Sequence, residues 1–144
     1  MSLIILTQTD TTVGFLSQNN KKLYEIKSRN TSKPFIKVYT DFNSFLNDNN
    51  RVPSLQKKLV RRSKKITFII KNQAIRVSKY YLNSQILRDL TWSYSTSANK
   101  SKENFNREFC EEKADIIIED INSLVEKDSS KLIKINKKKI RKIR

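Results

Sequence analysis

The chain has 144 residues, 30 Lys and Arg against 14 acids, a formal charge of +16 and an apolar fraction of 37%. That length fits one domain with a modest core, and that charge favours a polyanionic partner, a nucleic acid or a nucleotide phosphate. With no His and one Cys, an internal disulfide, a zinc site and a His-based triad are excluded by inventory.

The opening "MSLIIL" lacks a basic segment and holds only four consecutive apolar residues. It is too short for a signal peptide or a membrane span, so the expectation is a cytoplasmic protein with no membrane partner. In chain order, apolar runs predict strands at Leu3–Leu6, Phe35–Tyr39, Ile66–Ile70, Ala74–Val77, Ser93–Thr96 and Ile116–Glu119, with a weaker one at Leu132–Ile135. Helical spacing predicts Lys21–Ser28, Phe42–Asn47, Ser54–Ser63, Leu82–Leu90 and Phe105–Lys113. Asp41 suits the N-cap of the second helix, and Pro53 the first turn of the third. The interleaving argues for an α/β or α+β fold, a sheet with helices against it, in a single domain over residues 1–144. Its core is expected over about 3–120, with a basic C-terminal segment at 131–144.

Charge is uneven along the chain. Residues 51–65 hold seven basic residues and no acid, with Leu55, Leu59 and Val60 expected to keep one helix side apolar. Residues 103–120 carry seven acids and two bases, and the tail "KLIKINKKKIRKIR" has eight bases in fourteen residues. The tail's regular Leu and Ile residues favour two strand-like pieces with basic outer sides over a disordered arm. Lys, Asn and Ile richness is also what an AT-rich genome imposes, so charge alone does not specify the partner.

Three segments are rich in short hydroxyl and amide groups. "TQTDTTVGF", Thr7–Phe15, follows the first strand and holds the only glycine, Gly14, which is expected in a tight turn or close to a ligand. "IKSRNTSKPF", Ile26–Phe35, sits at a helix end; Lys27 and Arg29 converge only if the helix stops there, as Asn30, Thr31, Ser32 and Pro34 favour. "YSTSANKS", Tyr94–Ser101, has six hydroxyl or amide residues in eight. Each alone reads as a capping or turn segment.

In order, however, the chain shows Thr9-Asp10-Thr11…Gly14, Lys27-Ser28-Arg29…Lys33-Pro34, Thr67-Phe68, Ala74-Ile75-Arg76-Val77 and Ser95-Thr96-Ser97-Ala98-Asn99-Lys100-Ser101. This series resembles the YrdC-like family, the threonylcarbamoyl-AMP synthases, from about Leu3 to Asn99. The match is looser at the tail, where Ser129-Ser130 and Arg141 or Arg144 look like the family's closing strand and final arginine. Departures are Gln8 for a proline, Val13 for an aromatic, Ser63-Lys64-Lys65 for Pro-Gly-Pro, Asn30 for a proline and Lys102 for a glycine. The chain is also shorter than family members.

The resemblance implies a twisted mixed sheet flanked by helices, with a basic concave pocket. It implies synthesis of L-threonylcarbamoyladenylate from ATP, L-threonine and bicarbonate, with Mg²⁺ accompanying ATP and pyrophosphate released, for threonylcarbamoyladenosine in tRNA. Carried over by motif, Lys27, Arg29, Ser97 and Asn99 are the catalytic tetrad, and Thr9, Thr11, Lys33, Thr67, Arg76, Thr96 and Ala98 border substrate or nucleotide. No residue is assigned as a metal ligand, and Asp10 is expected to cap a turn. tRNA or double-stranded RNA and a threonylcarbamoyl transferase complex are the candidate macromolecular partners. The alternative is a non-catalytic relative whose basic hollow binds RNA or nucleotide through charge alone.

Overall fold

The structure, a computed structural model, describes residues 2–28, 34–78, 88, 90–100, 102–119, 122–136 and 139–144. It carries nine strands in one mixed sheet of order β7-β1-β2-β6-β3-β5-β4-β8-β9. These are β1 (Ile5–Gln8), β2 (Val13–Ser17), β3 (Ile36–Tyr39), β4 (Ile66–Ile70), β5 (Gln73–Val77), β6 (Trp92–Ser97), β7 (Ile116–Ile118), β8 (Lys131–Ile135) and β9 (Ile140–Lys142). Strands β1/β7, β3/β5 and β4/β8 pair parallel, and the other neighbours antiparallel. The α+β class, a large mixed sheet with a few helices, is as expected.

The helices are α1 (Asn20–Lys27), α2 (Phe42–Asn47), α3 (Lys57–Arg62) and α4 (Arg107–Lys113). Their starts follow capping chemistry. The side chains of Asn19, Asp41 and Asn106 each accept a backbone N–H of the first turn, satisfying donors that a helix start leaves open. Helix α1 stops at Lys27 because Ser28 adopts left-handed backbone with φ 47, the usual way a helix closes its last carbonyls.

Several expectations shift. The first strand is displaced to Ile5–Gln8, and the segment read as a hydroxyl-rich loop becomes a hairpin whose second strand is β2. Apolar Val13, Phe15 and Leu16 are fully buried there, and a strand buried on both faces lacks the alternation that marks one in sequence. The third helix is a 3₁₀ turn at Ser54–Gln56 followed by α3, and Leu55 is 88% exposed rather than on the packed side. The expected helix 82–90 lies, apart from Arg88 and Leu90, outside the described residues. The basic tail forms β8 and β9.

Two apolar clusters hold the sheet. One packs α2 and α3 on β3, β4 and β5 through Tyr39, Phe42, Phe45, Val60, Phe68 and Ile75. The other packs α1 and α4 on β1 and β2 through Leu6, Phe15, Leu23, Phe35 and Cys110. Leu124 and Ile135 join these clusters, so the core extends beyond residue 120. Each fully buried Leu or Phe contributes about 1.5–3 kcal/mol. Among the described residues, no helix is long and apolar enough to cross a membrane.

Candidate anion site

The C-terminal end of α1 points Lys27 at the end of β6. Its Nζ donates to Ser97 O at 3.0 Å, Asn99 O at 2.8 Å and Asn99 Oδ1 at 2.7 Å, with Ser97 Oγ at 3.5 Å. Ser97 Oγ in turn donates to Asn99 Oδ1 at 2.6 Å. Lys27 is buried while Ser97 is exposed, so the cation lies behind the hydroxyl it supports. The structure thus brings together Lys27, Ser97 and Asn99 across 70 residues of sequence. Arg29 and Lys33 lie outside the described residues.

A cavity of about 400 Å³ opens beside Ser97 on one face of the sheet, bordered by Thr9, Thr11, Arg76, Thr96, Ser130 and Arg144 among others. Thr9 and Thr11 come from the β1–β2 turn, and Thr96 from β6. Thr9 Oγ1 donates to Thr12 O at 2.6 Å, accepts from Thr11 N at 3.1 Å and lies 3.2 Å from Thr11 Oγ1. These bonds replace the ladder where the hairpin turns. Gln8, buried beside them, donates Nε2 to Thr9 O and Thr11 O at 3.3 Å each, and its Oε1 accepts Val125 N at 2.8 Å.

Arg76 enters from β5. It is buried, not a surface strand charge; its Nη1 donates to Thr11 Oγ1 at 3.0 Å, and its Nη2 lies 3.2 Å from Asp10 Oδ1. Asp10 is therefore the counter-ion of Arg76 and not a free turn cap. Burial pulls the Arg76 pKa below the ordinary guanidinium value, with the Asp10 charge opposing it, because desolvation disfavours the charged form. Among the described residues, neither Arg76 Nε nor Asp10 Oδ1 has a hydrogen-bond partner. A buried orphan donor beside a cavity is unsatisfied until an acceptor arrives.

Other expected residues sit differently. Thr67 is buried and acts through Ser130, their hydroxyls 2.7 Å apart, while Ser130 borders the cavity. Ala98 is buried in the second apolar cluster, its N–H donated to Val13 O at 2.8 Å, and does not border the cavity. Gly14 is in strand β2 with ordinary φ, not in a turn; a Cβ there would meet Thr9 Cγ2 at 2.9 Å. Close approach is thus the reason for the glycine, and the neighbour is a side chain of the site. Gln8, noted only as standing for a proline, and Ser95, noted only as part of a motif, were given no site role; a polar residue ending an apolar strand run was the signal for Gln8. Arg144, held by Nε to Ser130 O at 3.1 Å, reaches the cavity because β8 and β9 join the sheet.

Among the described residues, no group of three or more His, Cys, Asp or Glu converges as a metal site. The carboxylate nearest the threonines, Asp10, is engaged by Arg76. Burial raises the Cys110 thiol pKa, and its Sγ lies 3.2 Å from Ala98 O, so it is a packed residue and not a nucleophile.

The protein is thus of the α+β class, its mixed sheet carrying a hydroxyl-rich cavity with a buried arginine at the wall and Ser97, backed by the buried Lys27, at its border. The sequence model of the Sua5/YciO/YrdC family, described as telomere recombination, matches residues 3–144, and the chain belongs to that family. The match runs through the tail, further than the motifs alone reach.

Solved structures agree on the fold. P. abyssi Sua5 complexed with L-threonine superposes with a TM-score of 0.75 at 16% identity, covering 99% of this chain and 50% of that one. E. coli YciO gives 0.78 at 15% identity, covering 99% and 82%. Full-length HypF in its phosphate- and nucleotide-bound form gives 0.75 at 16% identity, covering 99% and 26%. The chain spans about half the length of the Sua5 chains it matches. No curated protein sequence matches it.

Proposed function

We propose that the protein is a nucleotidyltransferase that makes L-threonylcarbamoyladenylate from L-threonine, bicarbonate and ATP, releasing pyrophosphate, for the threonylcarbamoyladenosine modification of tRNA. The observation that carries this reading is the convergence of Lys27, Ser97 and Asn99 beside a cavity walled by Thr9, Thr11 and Arg76. The threonine complex of P. abyssi Sua5 and the nucleotide-bound form of HypF support ligands of these classes in this fold.

The chemistry fits the inventory. Threonine and bicarbonate condense to a carbamate, whose oxygen attacks the α-phosphorus of ATP as the bond to the pyrophosphate oxygen breaks. The nucleophile comes from the substrates, so the protein supplies position and charge. Lys27 and Arg29 neutralise phosphate oxygens and favour pyrophosphate departure. Ser97 and Asn99 donate to phosphate or carbamate oxygens, Arg76 meets a substrate anion through its open Nε, and Thr9 and Thr11 border the threonine. Mg²⁺ enters with ATP on its phosphates, the way this small hard cation is commonly held; the hydroxyl-rich lining suits a hydrated metal–nucleotide complex.

A second reading, a non-catalytic relative that binds nucleotide or RNA, draws on one observation. Lys27 already contacts both Ser97 and Asn99 through main-chain and side-chain oxygens, so it must exchange protein partners for phosphate to act. Incubation with ATP, Mg²⁺, threonine and bicarbonate separates the two. Threonine-dependent pyrophosphate release supports the synthase. ATP binding without that release leaves only the binder, and no nucleotide binding sinks both nucleotide readings.

A further inference from the structure

The sheet's two outer strands have opposite chemistry. With its flanks β7 reads Asp115-Ile116-Ile117-Ile118-Glu119, and β9 reads Lys139-Ile140-Arg141-Lys142-Ile143-Arg144. Strand β7 pairs with β1 and β9 with β8, and among the described residues no strand lies beyond either. Such edges present unpaired N–H and C=O groups that template another strand, and proteins usually blunt them with lysines or prolines. Strand β7 has neither; its Ile116 and Ile117 are 39% and 42% exposed, facing solvent where burial would be favourable. On the opposite edge Ile140 and Ile143 are 53% and 47% exposed.

Charge decides what fits these edges. Residues 103–120 carry seven acids against two bases, while residues 131–144 carry eight bases and no acid. Pairing β9 with β9 sets Arg141 and Lys142 against like charges, which is destabilising across strands. Pairing β7 with β9 brings acids to bases and Ile to Ile. Some acids are already engaged: Glu111 and Glu119 lie 2.6 Å and 2.7 Å from Arg107, and Asp115 accepts Ile4 N at 2.8 Å. Glu108 and Glu112 on α4 are exposed and belong to no ion pair among the described residues. A nucleic acid would use the basic edge and leave the isoleucines of β7 uncovered; a second copy of the chain accounts for both edges.

We infer that β7 of one copy docks against β9 of another, head to tail, continuing the sheet from molecule to molecule. The two surfaces differ, so this contact propagates unless a ring closes.

Sedimentation of the whole protein at rising concentration, without nucleic acid, tests this. Self-association is expected, weakening about tenfold from ~0.05 M to ~1 M salt, where the screening length falls to about 3 Å. Ile117→Lys disables one edge and Ile143→Glu the other. Each variant alone should stay monomeric, and their mixture should form a 1:1 dimer through the two intact edges. Arg141→Glu, a change at an exposed position, provides a second β9 variant, and circular dichroism checks that all fold. A monomeric wild type, folded variants that associate as wild type does, or a mixture of folded variants that stays monomeric would overturn the inference. Association that requires added RNA would overturn it as well.

Discussion

Lys27 Nζ stands 2.7 Å from Asn99 Oδ1, joining the last residue of α1 to the loop that follows β6. The contact makes one cation serve the fold and the proposed phosphate site. Lys27→Ala should therefore slow pyrophosphate release by about 10²–10³-fold, or about 2.7–4 kcal/mol, the cost of removing a preorganised charge contact. It should also lower stability by about 1–3 kcal/mol, because acceptors on Ser97 and Asn99 lose their partner. Ser97→Ala, at an exposed position, should reduce the rate with a smaller loss of stability. Steady-state rates and denaturant melts on both variants check this; a Lys27→Ala enzyme with unchanged rate would remove Lys27 from the site.

Arg76, buried at the cavity wall, and the largely buried Asp10 form an ion pair 3.2 Å apart. Breaking such a pair from one side strands a charge and costs about 3–5 kcal/mol. Arg76→Met and Asp10→Asn should each shift the urea midpoint strongly, and the double variant should lose less than their sum. Threonine binding, followed by calorimetry, should fall in Arg76→Met and stay low in the double variant, since stability returns but the anion contact does not. Full threonine affinity in a folded double variant would assign Arg76 to structure alone.

How much of this was legible in the sequence depended on whether local rules or distant contacts governed each element. Strand β4 and helix α2 appear at the expected residues because Ile66–Ile70 is a short apolar run and Asp41 is a strong N-cap. Strand β2 did not, since threonines and a glycine at its start disguised a strand that is buried on both faces. Lys27, Ser97 and Asn99 were named from motif order, yet their meeting depends on α1 ending at Ser28, which local sequence only favoured. Asp10 was misassigned because its partner sits 66 residues away on β5, and no spacing rule reports that contact.

Lys102, at the position where a glycine was expected from family resemblance, holds left-handed backbone with φ 66. For a residue with a Cβ this conformation costs about 1–2 kcal/mol. Glycine removes that cost but adds unfolded-state entropy of about 0.5–1 kcal/mol. Lys102→Gly should therefore stabilise the protein by about 0.5–1 kcal/mol, read as a raised melting temperature. A lowered melting temperature would mean that the lysine side chain makes a compensating contact.

On the helix α2 side, Tyr39 Oη donates to Asp48 Oδ2 at 2.6 Å, and Lys37 Nζ donates to the same oxygen at 2.7 Å. The Lys37 bond and then the Tyr39 bond hold Asp48 below the usual carboxylate range, while burial and then Asp48 push Tyr39 above the usual phenol range. The lowered Asp48 contributes stability above its unfolded value near 3.9, lost as pH falls through the folded value. The raised Tyr39 contributes stability that is fully present below about pH 10 and lost as pH rises toward the folded value. Tyr39→Phe should cost about 1 kcal/mol at neutral pH and flatten the alkaline limb of the melting profile, whereas Asp48→Asn should flatten the acid limb. An unchanged alkaline limb in Tyr39→Phe would show that other groups set it.

Gly14 lies on β2 directly against Thr9, where an added Cβ would meet Thr9 Cγ2 at 2.9 Å and Thr96 O at 3.4 Å. Thr9 cannot swing away at little cost, because its hydroxyl bonds Thr12 O and the Thr11 backbone. Overpacking of this kind costs about 1–3 kcal/mol, so Gly14→Ala should destabilise the hairpin and raise KM for threonine as the Thr9–Thr11 turn shifts. Thr9→Ser keeps the hydroxyl and deletes the obstructing methyl. In a Thr9→Ser background, Gly14→Ala should then be nearly neutral in both melting temperature and KM. A double-mutant cycle measures this coupling; additive costs would mean that the contact with Thr96 O, and not with Thr9, demands the glycine.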